Sequence, residues 1–260
     1  HTHDIEMDGR HYAVDTGFIV HNPVHYPLLT QLFDELGVAS QATTMSFSVH
    51  NAANGLEYNA SSLDGLFCQR RNLLSPRFIG MVRDLFRFYR EAPELLDGPN
   101  SGPTLGDWLA QHHYSAAFRD EHLVPMASAL WSSPPEQILA FPARYLAQFM
   151  ANHQMLQVTG RPEWRVVRGG SASYVRAMRE RWDVHERPGT PVRGVRRGAL
   201  GATVTCDDAS ERYDQVVLAC HSDQALALLA DASEREQAIL GAIPYFMSRG
   251  TRDFTSTTSV

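Results

Sequence analysis

Three stretches of this sequence combine residue types and spacings that could take part in chemistry. Residues 12–20 form an apolar segment with a glycine at Gly17, where a backbone without a side chain can approach a flat or bulky group. Residues 164–171 pass through Gly169-Gly170 into a Ser-started helix, which predicts free amides at a helix N-terminus. The third stretch, His1-Thr2-His3, has the H-x-H spacing of some metal sites. These patterns indicate two chemistries, cofactor binding by the backbone and metal binding.

A metal site at His1, His3 and His11 has little support from the rest of the sequence. Sites that begin with H-x-H often use a carboxylated lysine, but all 23 Lys and Arg residues of this chain are Arg. The lack of lysine also excludes Schiff-base lysine chemistry and a lysine general base. We therefore expect no metal, and interpret these histidines as surface or cofactor-adjacent residues.

Composition and charge restrict the class of protein. A chain of 260 residues with 43% hydrophobic and 20% charged residues can bury a sizeable core in one or two domains. Its net charge of −6 argues against a nucleic-acid partner, and no apolar run reaches the roughly 18 residues of a transmembrane helix. Cys68, Cys206 and Cys220 lie far apart without a CxxC pair, which favours a reducing cytoplasm.

Short turns and alternating patterns predict the elements around the first glycine. Asp8-Gly9 predicts a hairpin turn between two strand-like runs. Residues 26–36 have apolar positions at helical spacing and are followed by Gly37, which is typical of a helix end. Residues 45–49 alternate as a strand and pair plausibly with 55–59.

A helix is expected from Pro76, a loop at residues 97–103, and mainly helices from Thr104 to about Met155. Pro76 begins a predicted helix, and Thr104 is a candidate N-cap for the next one. Residues 118–130 keep a helical pattern despite Pro125. The first helix has one apolar face that we expect in the core, made of Phe78, Met81, Val82, Leu85, Phe86 and Tyr89. Its arginines, Arg83, Arg87 and Arg90, are interpreted as a solvated face.

The last part of the chain returns to strands. Ser171 should cap a helix that runs to about Trp182. Strands are expected at residues 190–195, 202–206 and 212–219. Within the last of these, residues 215–219 are typical of a buried parallel strand that leads directly into a helix. From Ser248 to the end the sequence is polar, without periodicity, and predicts an irregular tail at 247–260.

Nine segments, taken together and in order, resemble the superfamily of FAD-dependent amine oxidases and phytoene desaturases. The resemblance covers most of residues 1–245 and is closest to a bacterial branch of predicted NAD/FAD-binding oxidoreductases. The matching segments are His1-Thr2-His3 and residues 14–20, 35–38, 45–49, 129–132, 141–143, 152–156, 169–171 and 216–224.

The resemblance implies an α/β fold in which a mainly helical substrate domain is inserted into a discontinuous, Rossmann-like FAD-binding domain. Residues 1–40 and 163–246 would form the FAD-binding domain, and residues 41–162 the substrate domain. The residues that it implies at FAD are His1, Thr2, Gly17, Phe18, Ile19, Gly169, Gly170, Val192 and Ala219. Val192 would bind the adenine through its backbone. Trp131, Asn152 and His153 are implied as candidates for lining the substrate cavity, without a role in the chemistry.

The sequence contains no G-x-G-x-x-G, the motif that cradles the FAD pyrophosphate in the resembled family. We therefore expect a fragment that lacks the first strand, the phosphate-binding turn and a C-terminal flavin-contacting segment. The implied function is two-electron oxidation or desaturation of an apolar or amine-bearing small molecule. Amine oxidation and desaturation stay open, although the lack of lysine favours desaturation. The alternative function is a binding module that keeps the fold without the cofactor.

Overall fold

The structure is a computed structural model that describes residues 2–15, 20–99, 102–243 and 245. These residues belong to two compact units that divide between Trp182 and Asp183. The first unit contains strands β1 Thr2–Met7, β2 Arg10–Asp15, β3 Val20–His21, β4 Ser40–Thr43, β5 Ser48–Asn51, β6 Leu56–Asn59 and β7 Trp164–Val167. The second contains β8 Val192–Gly198, β9 Gly201–Cys206 and β10 Ser210–Tyr213. The described residues form both helices and sheets, which confirms the predicted α/β class.

Helices make up most of the first unit. They are α1 Pro27–Leu36, α2 Leu63–Leu66, α3 Pro76–Glu91, α4 Leu105–Gln111, α5 Ala116–Phe118, α6 Val124–Trp131, α7 Pro135–Ala140, α8 Ala143–Asn152 and α9 Ala172–Arg181. Two 3-10 helices, Arg70–Leu74 and Ala92–Asp97, flank α3, and a π-helical turn at Arg119–Leu123 joins α5 to α6. The second unit adds α10 Ser222–Leu228 and α11 Glu234–Gly241.

The N-terminal hairpin forms as predicted. Strands β1 and β2 pair antiparallel from Thr2 opposite Asp15 to Met7 opposite Arg10. Asp8 and Gly9 both have positive φ, 53° and 69°, as the tight turn between right-twisted strands requires. This pairing fixes Asp15 at the open end of the hairpin.

A three-stranded antiparallel sheet brings together segments that are distant in the chain. Strand β7 lies in its centre, between β3 and β4. Val20 pairs with Val166, and Ser40 pairs with Val167. Helix α1 begins at Pro27 and ends at Gly37, whose φ of 67° gives the left-handed cap that the sequence predicted. The sheet therefore holds the start of the chain beside residues 164–167.

The main core of the first unit lies among its helices. It is built from apolar side chains of α3 to α8 and of the β5–β6 hairpin, and includes the fully buried Phe88, Leu105, Phe118, Ile138 and Leu146. Thr104 caps α4 as predicted, because its Oγ1 accepts a hydrogen bond from the Asp107 N–H at 3.1 Å.

One prediction is confirmed and one is wrong inside these helices. Residues 118–130 are helical despite Pro125, as predicted, with a π-helical turn at Arg119–Leu123 between α5 and α6. Proline has no N–H to donate to the preceding turn, and a wider turn accommodates this. On α3, Phe86 was expected in the core but is 51% exposed, because its position lies on the side of the helix opposite the buried Met81 and Phe88.

The second unit is organised on an antiparallel sheet in the order β10-β9-β8. Strands β8 and β9 overlap the predicted strands at 190–195 and 202–206, whereas β10 shares only Arg212 and Tyr213 with the predicted strand at 212–219. A β-bulge lies between Val192 and Gly194. Arg197 donates hydrogen bonds to Glu236 at 2.7 Å and to Asp231 at 3.2 Å, which ties β8 to α11 and to the segment before it.

The predicted buried strand at residues 215–219 is wrong for the described structure. Those residues form no strand, and Val217 is 89% exposed. A parallel strand is stable only when neighbouring strands hydrogen-bond it on its edges and cover its faces. No described strand pairs with this segment, and its apolar residues are exposed at Val217 and Ala219 and half-buried at Val216 and Leu218.

Candidate cofactor and substrate site

The Gly169-Gly170 turn lies between the end of β7 and the start of α9. Both glycines have positive φ, 79° and 81°, a region that side chains disfavour. A Cβ on Gly169 would meet no atom within 4 Å, whereas a Cβ on Gly170 would lie 3.3 Å from Asp15 Oδ2. Gly169 therefore presents bare backbone to open space, and Gly170 leaves room for the Asp15 carboxylate.

Asp15 supplies the cap of α9 that the sequence assigned to Ser171. Its Oδ2 accepts a hydrogen bond from the Ser171 N–H at 2.7 Å, while the Ser171 side chain makes no capping hydrogen bond. A carboxylate at this place is stabilised by the positive end of the helix dipole. Asp15 thus joins the N-terminal hairpin to the Gly169-Gly170 turn across 156 positions of sequence.

The predicted set of free amides at this turn is wrong. Besides the Ser171 N–H, the Gly170 N–H donates to Val167 O and the Ser173 N–H donates to Gly170 O, each at 3.1 Å. A phosphate group would have to compete with the Asp15 carboxylate and these carbonyls. A flat group suits this turn better, because it needs close approach to the backbone and not several amide donors.

The residues implied at FAD are placed as follows. Thr2 lies in β1 directly opposite Asp15, so the Thr2 backbone and Gly170 both lie next to that aspartate, and Gly169 precedes Gly170 in the turn. His1, Gly17, Phe18 and Ile19 lie outside the described residues. The metal interpretation is likewise not tested, because His1 and the side chain of His3 fall outside them.

Val192 and Ala219 belong to the second unit. Val192 begins β8, an edge strand of its sheet, and lines a cavity of about 320 Å³ together with Thr190, Val204, Cys206 and Tyr213. An edge strand offers backbone groups to a partner on its open side, and the apolar walls suit a flat base. Ala219 is exposed in the irregular segment that precedes α10.

A row of aromatic rings connects two of the three predicted cavity residues in the first unit. Trp131 contacts Phe149 with ring centroids 4.9 Å apart, and Phe149 stacks on His153 at 4.2 Å. The row continues to His25 at 5.3 Å and from His25 to Trp164 at 6.2 Å. It therefore runs from the end of α6, across α8, to the first residue of β7.

The third predicted cavity residue, Asn152, does not join this row. Its side chain is exposed, and its Oδ1 accepts a hydrogen bond from Gln148 Nε2 at 2.8 Å on the same helix. Residues three and four apart are neighbours on a helix, so Asn152 lies between Gln148 and Phe149 on the surface of α8, and its side chain binds Gln148.

His25 and His153 have complementary hydrogen-bonding groups. His153 Nδ1 donates to the Phe149 carbonyl at 2.9 Å, and His25 Nδ1 accepts from Asn22 Nδ2 at 3.0 Å. These partners assign the His25 proton to Nε2 and leave His153 Nε2 as an acceptor. His25 Nε2 is buried and has no hydrogen-bond partner among the residues that the structure describes.

Electrostatics keep His25 neutral. Burial lowers the pKa of His25 below its usual value, and the nearby His153 lowers it further. A neutral His25 can donate one hydrogen bond from Nε2, and the ring of His153 lies with its centroid 5.3 Å from that of His25. The two imidazoles therefore form a small polar spot in an otherwise apolar row of rings.

A second polar cluster lies deeper in the first unit and has a structural role. The Tyr58 hydroxyl donates to Glu121 O at 2.7 Å and lies 2.8 Å from His122 Nδ1. The buried Glu121 carboxylate binds Asn54 at 2.6 Å and Arg77 at 3.0 Å. Burial lowers the pKa of His122 to about 4, so that it is neutral at physiological pH.

Sequence reasoning missed Asp15, His25, Phe149 and Trp164. Two local signals point to them: Asp15 directly precedes the first glycine segment, and Phe149 lies four residues before His153 on one helix face. The contacts of His25 and Trp164 with that face carry no local signal, because they depend on the β3–β7 pairing.

Comparisons with known proteins agree with this arrangement. The family model described as "Flavin containing amine oxidoreductase" matches residues 1–249. No curated protein gives a significant match. Among the described residues, none of the helices combines the length and apolar character needed to cross a bilayer.

Solved structures with the same fold include a putrescine oxidase with bound putrescine, which has 18% identity and a TM-score of 0.66. The matched region covers 92% of this chain and 54% of the putrescine oxidase chain. A cyclohexylamine oxidase from Brevibacterium oxydans has 18% identity and a TM-score of 0.64, with 88% and 52% covered. A fatty acid isomerase from P. acnes has 14% identity and a TM-score of 0.52, with 92% and 54% covered. The chain thus spans about half the length of these structures.

Proposed function

The chain belongs to the flavin-containing amine oxidoreductase family, whose cofactor is FAD, and we propose that it forms part of an oxidoreductase for a small molecule. The observation that carries this proposal is the Gly169-Gly170 turn, held open by Asp15 and free of side chains on its Gly169 side. When bound, the flavin would supply the redox chemistry by accepting a hydride from a C–N or C–C unit.

The domain organisation expected from the sequence supports the same function. In it, residues 1–40 and 163–246 form a discontinuous, Rossmann-like FAD-binding domain, and residues 41–162 form the inserted substrate domain. The pairing of β3 with β7 supports this proposal, since it joins the two predicted parts of the cofactor domain within the first unit. In this assignment Gly169 and Gly170 lie against the flavin ring.

The row of rings from Trp131 to Trp164 provides an apolar wall for the substrate. Its single polar spot, His25 and His153, would orient an amine or another polar group that would otherwise be unpaired in an apolar cavity. His153 Nε2 can accept a proton from a substrate ammonium, which must become a neutral amine before it can lose a hydride.

Substrates of the solved relatives suggest the compounds to test. Putrescine and cyclohexylamine represent primary amines, and a long-chain unsaturated fatty acid represents the desaturation alternative. The full-length protein should be loaded with FAD and mixed with each compound in the absence of oxygen. The loss of flavin absorption is then recorded, because it measures reduction of the flavin. We expect one class to bleach the flavin, with a rate that falls in His153→Phe. Gln148→Ala on the opposite face of α8 is the matched control and should keep the rate.

A non-catalytic binding module is the alternative function. Under this alternative, the full-length protein keeps the fold but binds no flavin, and no substrate reduces flavin in its presence. A full-length protein that bound no FAD would contradict the oxidoreductase proposal and favour this alternative. The cytoplasmic location expected from the cysteines stays a prediction, and fractionation of cells that express the protein would test it.

A further inference from the structure

The outer face of α3 carries an exposed stripe of alternating apolar and basic residues. We define the outer stripe as Ile79, Arg83, Phe86 and Arg90, which all lie on the exposed side of the helix. With 100° per residue, these four positions fall within roughly 60° of arc, and they extend over about 16 Å. Ile79 is 44% exposed and Phe86 is 51% exposed. Large apolar side chains in this setting stabilise nothing inside the unit.

Residues 70–90 contain six arginines and one acidic residue, Asp84, in a chain whose net charge is −6. Three of these arginines are ion-paired, Arg70 with Asp64, Arg77 with Glu121 and Arg87 with Glu91, which leaves Arg71, Arg83 and Arg90 without a hydrogen-bonded carboxylate among the described residues. Asp84 is buried and accepts a hydrogen bond from the Ser115 N–H at 2.9 Å, so it does not face the stripe. The next acidic residue along the chain is Glu91, whose side chain is mostly buried. Its carboxylate accepts a hydrogen bond from Arg87 Nε at 2.8 Å.

The two arginines of the outer stripe are available to a partner. Arg83 makes no hydrogen bond or ion pair with residues in the described ranges. The Arg90 side chain is exposed, and its nearest carboxylate is Glu91 at 3.8 Å, beyond hydrogen-bonding distance. Two cationic groups with no strong internal partner therefore flank Phe86 on adjacent turns.

The apolar surface continues at the N-terminal end of α3. The preceding 3-10 helix ends in Leu73 and Leu74, and Leu74 is 90% exposed. Ser75 caps α3 directly after them, so the two exposed leucines immediately precede the helix in the chain. Leu73, Leu74, Ile79 and Phe86 are the large apolar residues that are exposed in this part of the chain, and we refer to them as the apolar ridge.

We propose that the outer stripe of α3 and Leu73-Leu74 bind the surface of an anionic lipid bilayer. An amphipathic helix lies in a membrane interface with its arginines at the level of the lipid phosphates and its Leu, Ile and Phe side chains at the boundary of the acyl chains. Charge complementarity selects an anionic bilayer over a neutral one, because the stripe has no carboxylate that faces the lipid. The binding does not depend on the flavin, so it can be tested apart from the oxidoreductase function.

Vesicle sedimentation of the full-length protein tests this proposal. Vesicles of phosphatidylcholine with phosphatidylglycerol are compared with vesicles of phosphatidylcholine alone, at low and high salt. Binding should require the anionic lipid and weaken with salt. Each arginine contributes a factor of about five in partitioning, so Arg83→Gln/Arg90→Gln should bind about 25-fold more weakly. Ile79→Ser/Phe86→Ser should also bind less, because the ridge loses its two largest apolar groups.

Arg176→Gln/Arg235→Gln is the matched control, since both arginines are exposed and lie on other helices. It removes the same charge and should bind vesicles like the wild type. Circular dichroism melting checks that each variant is folded. The proposal is overturned if anionic vesicles do not bind the wild type at low salt, or if the stripe variants bind as well as the control. It is also overturned if the stripe variants abolish self-association without lipid, because the stripe would then join two copies of the protein.

Discussion

Replacing Gly169 and Gly170 by alanine, one at a time, separates backbone strain from the contact with Asp15. Both residues have φ near +80°, so either alanine costs about 1–2 kcal/mol for a left-handed conformation. The new methyl group of Gly169→Ala meets no atom within 4 Å. That of Gly170→Ala would lie 3.3 Å from Asp15 Oδ2, so the carboxylate must move away from the Ser171 N–H.

The displacement of the Asp15 carboxylate adds to the backbone strain only at Gly170. A hydrogen bond to a charged group contributes about 1.5–3 kcal/mol, and part of it is lost when the carboxylate moves. Gly170→Ala should therefore lower the free energy of unfolding by about 3–4 kcal/mol, and Gly169→Ala by about 1–2 kcal/mol. Urea unfolding followed by circular dichroism measures both values, and a constant slope with urea confirms that the denatured state is unchanged.

A double-mutant cycle with Asp15→Asn tests the assigned cause. If the Asp15 contact causes the extra loss, Gly170→Ala should cost less in the Asp15→Asn background, while Gly169→Ala should cost the same in both. Equal losses for the two glycines in the wild-type background, or no coupling between Gly170→Ala and Asp15→Asn, would refute the reasoning.

Two further predictions concern the buried cluster around Tyr58. Tyr58→Phe leaves His122 Nδ1 and Glu121 O unpaired and should lower the free energy of unfolding by about 1–3 kcal/mol, whereas the exposed Tyr145→Phe should change it by less than about 0.5 kcal/mol in urea titrations. Burial lowers the pKa of His122 from 6.5 to about 4, so between pH 6.5 and pH 4 His122 is protonated in the unfolded chain and neutral in the folded one. His122 should therefore make the free energy of unfolding fall by about 1.4 kcal/mol per pH unit from pH 6.5 towards 4, and His122→Asn should lack this contribution. If the free energies of unfolding of the wild type and of His122→Asn fall equally with pH, the assignment to His122 is contradicted.

Local chemistry made much of the fold predictable. Asp8-Gly9, Gly37 and Thr104 occupy the turn, the helix end and the N-cap predicted from their conformational preferences and side-chain groups. The apolar spacing after Pro76 also located α3 correctly. These features depend on a few neighbouring residues, so a single sequence contains the information that determines them.

Features that depend on distant contacts were not predictable in the same way. The cap of α9 comes from Asp15 because the hairpin places it there, and the segment at residues 215–219 lacks the partners that its apolar pattern requires. The predicted cavity residues Trp131 and His153 do lie on one row of rings, but the ring that completes it, Trp164, is placed by strand pairing. Phe86 shows that an apolar residue at helical spacing need not face the core.

The flavin content of the purified full-length protein tests the central claim most directly. FAD released by unfolding is quantified for the wild type and for Gly169→Val, whose side chain would enter the open space beside the turn. The account predicts about one FAD per chain in the wild type and a large loss in Gly169→Val while the variant remains folded. A wild-type protein that neither contains FAD nor binds it when added, or a folded Gly169→Val with full flavin content, would contradict it.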